Sequence, residues 1–176
     1  LGYTLSEEEF WKNALGSTVN YFKLRASYGL VGNSAVGDFA ALSLYGSGLY
    51  GPSPTLLFSQ AGNPELTWET SKKLDVGFTV GLFEDKIQGE FAYYKNDVDG
   101  LILAVPQAPS KGIPGNSVNA NVGAMVNSGI ELTLTYNAVR TTDFDYSVSL
   151  NFTTQKNEVL NLGPTGADIQ GFNSGL

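Results

Sequence analysis

The chain has 176 residues and a formal charge of −7, from 10 basic and 17 acidic side chains. That balance argues against nucleic-acid binding, which needs a basic patch to displace counterions from phosphate. The sequence holds no Cys and no His, which excludes disulfides, thiol chemistry, Cys/His metal sites and the Ser–His and Cys–His nucleophile systems.

Taken in chain order, Ser6-Glu7-Glu8-Glu9 reads as a capping box, with Ser6 as N-cap and Glu9 at N3. Leu5 and Phe10 stand where a hydrophobic staple would sit, and the spacing predicts a short helix to about Leu15, ended by Gly16. The rest of the chain has period two. In the first strand Phe22, Leu24, Ala26, Tyr28 and Leu30 alternate with Lys23, Arg25, Ser27 and Gly29. In the second, Leu74, Val76, Phe78, Val80 and Leu82 alternate with Asp75, Gly77, Thr79 and Gly81. The third sets Ile87, Gly89, Phe91 and Tyr93 against Gln88, Glu90, Ala92 and Tyr94. The fourth sets Ile130, Leu132, Leu134 and Tyr136 against Glu131, Thr133, Thr135 and Asn137. The fifth sets Phe144, Tyr146, Val148, Leu150 and Phe152 against Asp145, Ser147, Ser149, Asn151 and Thr153. Each strand thus has one apolar and one polar face.

The connections differ by side. Tight turns join the second strand to the third around Phe83–Lys86, and the fourth to the fifth around Arg140–Asp143. Long loops run over about Val31–Pro64 and about Val105–Asn121, and an open tail follows Leu160. Dyad alternation with short turns at one end and long loops at the other is the pattern of a bacterial outer-membrane barrel. A soluble β-sandwich also alternates, with one face packed on a second sheet. Loop asymmetry and strand length favour the barrel, since the second to fourth strands read as about 10–18 residues against a usual 5–6. A nine-residue register such as Leu74–Leu82, tilted about 40°, rises roughly 23–25 Å, close to the lipid band of such a barrel. Lys23, Arg25, Asp75, Glu90 and Glu131 fall on the polar register and are expected to face a wet lumen. Tyr21, Trp68, Tyr93, Tyr136 and Phe144 are candidates for interfacial girdles.

Three motifs have uninteresting readings. Gly46-Ser47-Gly48-Leu49-Tyr50-Gly51 matches a dinucleotide fingerprint, but Pro52 and Pro54 follow, so no helix opens and a flexible loop is expected. Asn96-Asp97-Val98-Asp99-Gly100 resembles the start of a calcium loop, but Gln107 stands where the distal Glu would be, so a polar strand end is expected and no metal. Paired carboxylates such as Asp97/Asp99 have nothing to raise a pKa, so no catalytic residues are assigned. The segment Phe39–Phe58 is more informative, because apolar side chains in a Gly/Ser/Pro loop need cover. Phe39, Tyr45, Tyr50, Leu57 and Phe58 are the candidates for contact with a partner or substrate, the alternative being packing against neighbouring loops.

Several ordered motifs resemble the SusC/RagA family of TonB-dependent outer-membrane transporters of Bacteroidetes. They are Phe22-Lys23-Leu24-Arg25-Ala26-Ser27-Tyr28-Gly29 with Val31-Gly32-Asn33, then Gly62-Asn63-Pro64-Glu65-Leu66 with Trp68-Glu69, then Asn121-Val122-Gly123 with Asn127-Ser128-Gly129-Ile130-Glu131-Leu132. Tyr93-Tyr94-Lys95 and the Ser6–Phe10 segment fit in order and spacing, so the resemblance spans about Leu5 to Leu160.

The resemblance implies an all-β fold: an antiparallel up-and-down transmembrane β-barrel section, about five strands of a barrel of about 22, with long extracellular loops and one short helix. All of residues 1–176 would belong to the barrel domain. The N-terminal plug and TonB box lie outside this sequence, which is expected to be a piece of a longer protein. The family implies import of oligosaccharides or peptides across the outer membrane, energised by TonB. A SusD-like surface lipoprotein acts as a lid, and no cofactor is required. A soluble β-sandwich adhesin or glycan-binding module and a passive porin are the alternatives.

Overall fold

The computed structural model describes residues 1–34 and 36–163. Among these residues there are eight strands: β1 (Gly2–Thr4), β2 (Val19–Asn33), β3 (Leu44–Tyr50), β4 (Ser53–Gln60), β5 (Glu69–Leu82), β6 (Ile87–Pro106), β7 (Ser117–Arg140) and β8 (Asp145–Asn161). One short helix, α1 (Glu9–Ala14), precedes β2. Six strands form one sheet in the order β1-β2-β5-β6-β7-β8, and β3 and β4 form a separate two-stranded sheet. Strand lengths of 14 to 24 residues for β2, β5, β6, β7 and β8 are far above the usual 5–6. Among the described residues no helix is long and apolar enough to cross a membrane, which leaves strand-based crossing untouched.

The chain divides into two compact units. The first comprises Leu1–Leu30, Lys72–Asp97 and Val126–Asn157. Its two faces follow the alternation. On one face the rings of Trp11, Phe22, Phe78 and Phe91 stack in a column with centroids 5.1, 5.7 and 5.4 Å apart. On the other, Arg25 meets Asp75 and Glu90, Thr133 donates to Asn151 at 2.9 Å, and the hydroxyls of Thr135 and Ser149 lie 2.9 Å apart. The apolar register is not a sandwich core: Tyr28 is 67%, Leu150 61% and Phe152 54% exposed. Among the described residues Ala92 is the one buried hydrophobic residue.

Two tight turns close this unit. At Phe83-Glu84-Asp85 three successive non-glycine residues have φ of 52°, 56° and 63°, a left-handed run that side chains ordinarily avoid. Tertiary hydrogen bonds hold it: Asn20 Nδ2 donates to Asp85 Oδ1, Asn137 Nδ2 to the Asp85 carbonyl, both at 2.8 Å, and Phe83 N to the Thr18 carbonyl at 2.9 Å. At the second turn the Thr141 hydroxyl accepts from Phe144 N at 3.0 Å.

The predicted capping box is corrected. Leu5–Glu7 forms a 3-10 turn, Ser6 is buried within it, and Glu8 is the N-cap of α1 with no side-chain cap hydrogen bond. Glu8 is occupied elsewhere, since its Oε1 accepts the Tyr3 hydroxyl at 2.7 Å.

The second unit comprises, among the described residues, Val31–Ser71, Val98–Met125 and 158–163. It contains both long connections. The segment expected to be a flexible loop is in part the β3–β4 hairpin, turned by Gly51 at φ 61°. The dinucleotide-like glycines therefore lie in a strand, and Asn96–Gly100 lies inside β6 instead of at a strand end. The expected Val105–Asn121 loop is shorter, because β6 and β7 reach Pro106 and Ser117 with two 3-10 turns between them. Trp68 lies just before β5 and packs near Gly32, whose ideal Cβ would lie 3.7 Å from the indole. The expected tail after Leu160 falls largely outside the described residues, β8 ending at Asn161.

Candidate functional site

The motif residues of the second unit act as its staples. Asn121 clamps the segment entering β5: its Oδ1 accepts from Thr67 N at 2.9 Å, and its Nδ2 donates to the carbonyls of Thr67 and Gly100, both at 2.8 Å. Glu69 uses both oxygens, Oε1 accepting from Ile102 N at 2.9 Å and Oε2 from Asn33 Nδ2 at 2.8 Å. Asn63 donates to the Asn119 carbonyl at 3.0 Å and accepts from Glu65 N at 3.1 Å. Gly62 is required by contact, since a Cβ there would lie 2.3 Å from the Leu42 carbonyl carbon. Most of these bonds go to backbone, so the charged and amide groups tie the segments of this unit together.

The hairpin is the exposed product of that scaffold. Its register pairs Tyr45 with Phe58, Ser47 with Leu56 and Leu49 with Pro54. By strand alternation these six residues share one face. Tyr45 and Phe58 rings lie 5.4 Å apart, and Tyr45, Leu49 and Leu56 are 66%, 70% and 73% exposed. Tyr50 and Leu57 belong to the opposite face, where Leu57 lies over Gly48 so closely that a Cβ there would be 2.3 Å from Leu57 Cδ1. Phe39 stands off the hairpin at φ 60°, and its carbonyl accepts from Gln60 Nε2 at 3.0 Å. Its side chain lines a recess of 390 Å³ with Val36, Ala40, Leu66 and Trp68.

The structure therefore brings Tyr45 and Phe58 together, and separates Tyr50, Leu57 and Phe39 from them. Leu49, Pro54 and Leu56 were missing from the sequence-based contact set. The spacing 45-47-49 carried the signal, but Gly46 and Gly48 on the other face hid the alternation. An isolated two-stranded hairpin is marginal in water. One with a bare apolar face calls for a covering surface.

The lumen candidates lie in the first unit. Arg25 Nη1 donates to Glu90 Oε1 and its Nε lies 3.5 Å from Asp75 Oδ1, so one guanidinium ties β2, β5 and β6 on the polar face. All three side chains are over a third exposed, so solvent screening keeps this network to about 1 kcal/mol. Lys23 lies opposite Thr4 of β1. Glu131 lies on β7 in the register of Thr133 and Thr135 and is exposed.

A family profile described as TonB dependent receptor-like, beta-barrel, matches residues 6–173. The chain belongs to this receptor-barrel family. TonB-dependent receptor P39 of Formosa agariphila is 34% identical over 99% of this chain and 16% of its own length. TonB-dependent receptor SusC of Bacteroides thetaiotaomicron is 30% identical over 96% of this chain and 17% of its own length. Among solved structures, that of the RagAB peptide transporter superposes with a TM-score of 0.80 at 26% identity, covering 92% of this chain and 18% of that one. The chain thus spans about a sixth of the length of these relatives. The unclosed antiparallel sheet is a section of the receptor barrel, and barrels of this family reside in the outer membrane.

Proposed function

We propose that the protein to which this barrel section belongs sits in the outer membrane and imports a nutrient, driven by TonB, beneath a SusD-like surface lipoprotein. The observation that carries this reading is the match over nearly the whole chain to SusC and to the RagAB transporter. An oligosaccharide or a peptide is the proposed cargo. The name of the second relative specifies peptide for that protein. Related structures are described as closed-closed and open-open states of that importer, which suits a mouth that opens and shuts. The lumen wall would carry Lys23, Arg25, Asp75, Glu90 and Glu131, setting its polarity.

The apolar hairpin face of Tyr45, Leu49, Leu56 and Phe58 would meet the lipoprotein or the captured substrate. Aromatic rings suit both protein contacts and sugar stacking. No catalytic step is proposed. The test is to purify the full-length protein from native outer membrane in mild detergent and identify what accompanies it. A stoichiometric surface lipoprotein is expected. The double substitution Leu49→Ser/Leu56→Ser should weaken its retention about tenfold, as loss of two apolar contacts would. Thr55→Ala, on the opposite face, should not. A barrel recovered with no lipoprotein would leave a lidless importer or a passive porin.

A further inference from the structure

We propose that α1 and its C-cap Leu15 form a membrane-contact site, seating Phe10, Trp11 and Leu15 among the acyl chains of the lipid leaflet that borders the short turns. It rests on the membrane-spanning reading of the sheet. All the residues concerned belong to the first unit.

The helix is tied to the lipid-facing side by its rings. Trp11 stacks on Phe22, with centroids 5.1 Å and planes 18° apart, in the column that Phe78 and Phe91 continue. Phe10 meets Trp11 edge-on at 6.5 Å. The rings thus run without a break from α1 across β2 and β5 to β6. Phe22, Phe78 and Phe91 stand on the apolar register, opposite the face where Arg25 meets Asp75 and Glu90. The indole therefore lies in the side-chain layer that a barrel turns to lipid. Its N–H is satisfied within the protein, Nε1 donating to the Val19 carbonyl at 3.0 Å. No part of Trp11 requires water.

The level fits as well. Phe22, Phe78 and Phe91 each lie within five residues of the strand end at the short turns. The connection that carries α1 joins the sheet at that same end. Thr4, the last residue of β1, pairs with Lys23, and Phe83 N of the first tight turn donates to the Thr18 carbonyl at 2.9 Å. Short turns of outer-membrane barrels lie on the periplasmic side, and aromatic rings gather at the membrane interface there.

The surface left open on α1 is apolar. At about 100° per residue, Phe10, Trp11 and Ala14 share one side of the helix and Leu15 extends it, while Glu9, Lys12 and Asn13 occupy the other. Trp11 is spent on Phe22. Phe10 and Leu15 flank it on the same arc and remain 61% and 46% exposed. A helix lying in the interface plane buries an arc of this kind at the boundary of headgroups and acyl chains. Charge points to the chains as the contact, since Glu7 and Glu9 stand against Lys12 alone in this segment. The arc is continuous with the lipid-facing ring column, which is why lipid is the occupant proposed.

The test uses the full-length protein freed of any cysteines and reconstituted in phosphatidylcholine vesicles. An environment-sensitive fluorophore is attached at Phe10→Cys, Leu15→Cys, Asn13→Cys or Leu150→Cys, one at a time. All four positions are exposed, so the substitutions leave the ring column intact. Quenching is read with iodide from water and with a nitroxide carried on the acyl chain of phosphatidylcholine. Labels at positions 10 and 15 should be quenched by the nitroxide and be at least about fivefold less open to iodide than the label at position 13, as for a helix in the interface. Equal iodide access at positions 10, 13 and 15 overturns the site. Shielding from iodide without nitroxide quenching overturns lipid as the occupant and assigns the arc to a protein cover. Leu150, on the apolar register of β8, is the reference. No nitroxide quenching there refutes the membrane-spanning reading itself, and this site with it. Quenching there without quenching at positions 10 and 15 overturns the site alone.

Discussion

Gly62 shows how much of this structure hangs on single backbone contacts. A methyl group there would lie 2.3 Å from the Leu42 carbonyl carbon, 2.5 Å from Ser43 N and 2.6 Å from the Ala41 carbonyl oxygen. None of these is a side chain that could swing away. Gly62→Ala should therefore push the 41–43 segment off and loosen the second unit locally by about 2 kcal/mol, or roughly 30-fold faster amide exchange in residues 39–62. Gly46→Ala is the control, because its nearest neighbour would be Ser59 Cβ at 4.0 Å, and it should change exchange less than about twofold. Equal effects of the two would show that contact is not what selects glycine at position 62. The motif Gly62-Asn63-Pro64-Glu65-Leu66 was visible in the sequence as a family marker, but its physical role was not. The partners of Asn63, Glu69 and Asn121 lie 56, 33 and 54 residues away, and side-chain-to-backbone clamps at such separations leave no periodic trace.

At the scale of elements, alternation succeeded where both faces were chemically distinct. Arg25, Asp75 and Glu90 converge on one face and Phe22, Phe78 and Phe91 on the other, as the period-two reading required. It failed in the Phe39–Phe58 segment, because glycines at 46 and 48 interrupted the second face of β3 between Leu44 and Tyr50. The capping-box reading gave the helix but misplaced its start, since Ser6 is buried in a 3-10 turn and Glu8 is the N-cap of α1. The ring column gives the element-scale test. Phe78 stands between Phe22 and Phe91, 5.7 and 5.4 Å away. Two aromatic contacts at about 0.5–1.5 kcal/mol each are lost in Phe78→Ala, so the full-length barrel should lose its folded, fast-migrating gel form several degrees lower on heating. Val76→Ala, on the same face but outside the ring column, should shift it less. Equal shifts would mean that the column contributes only area.

For the molecule as a whole, the decisive question is what each face of the six-stranded sheet meets. The strand β8 is exposed along all 17 residues, and its free edge invites pairing. Relatives about six times as long provide the chain that a closed barrel needs. Closure would put Ser149 and Asn151 towards the lumen and Val148 and Leu150 towards lipid, since Ser149 and Asn151 face Thr135 and Thr133. The sequence has no cysteine, so single cysteines at these positions report cleanly in a full-length protein freed of any others. In outer-membrane vesicles, Ser149→Cys and Asn151→Cys should react with a water-soluble maleimide at least about tenfold faster than Val148→Cys and Leu150→Cys, because a thiol in hydrocarbon stays protonated and out of reach of the reagent. A lipid-soluble maleimide should narrow the gap. The four residues alternate on one strand, so local unfolding would expose them together and cannot mimic the alternation. Uniform protection at all four would mean that the polar face is covered too. Uniform reactivity would mean that the apolar face meets water, and no barrel could survive that arrangement.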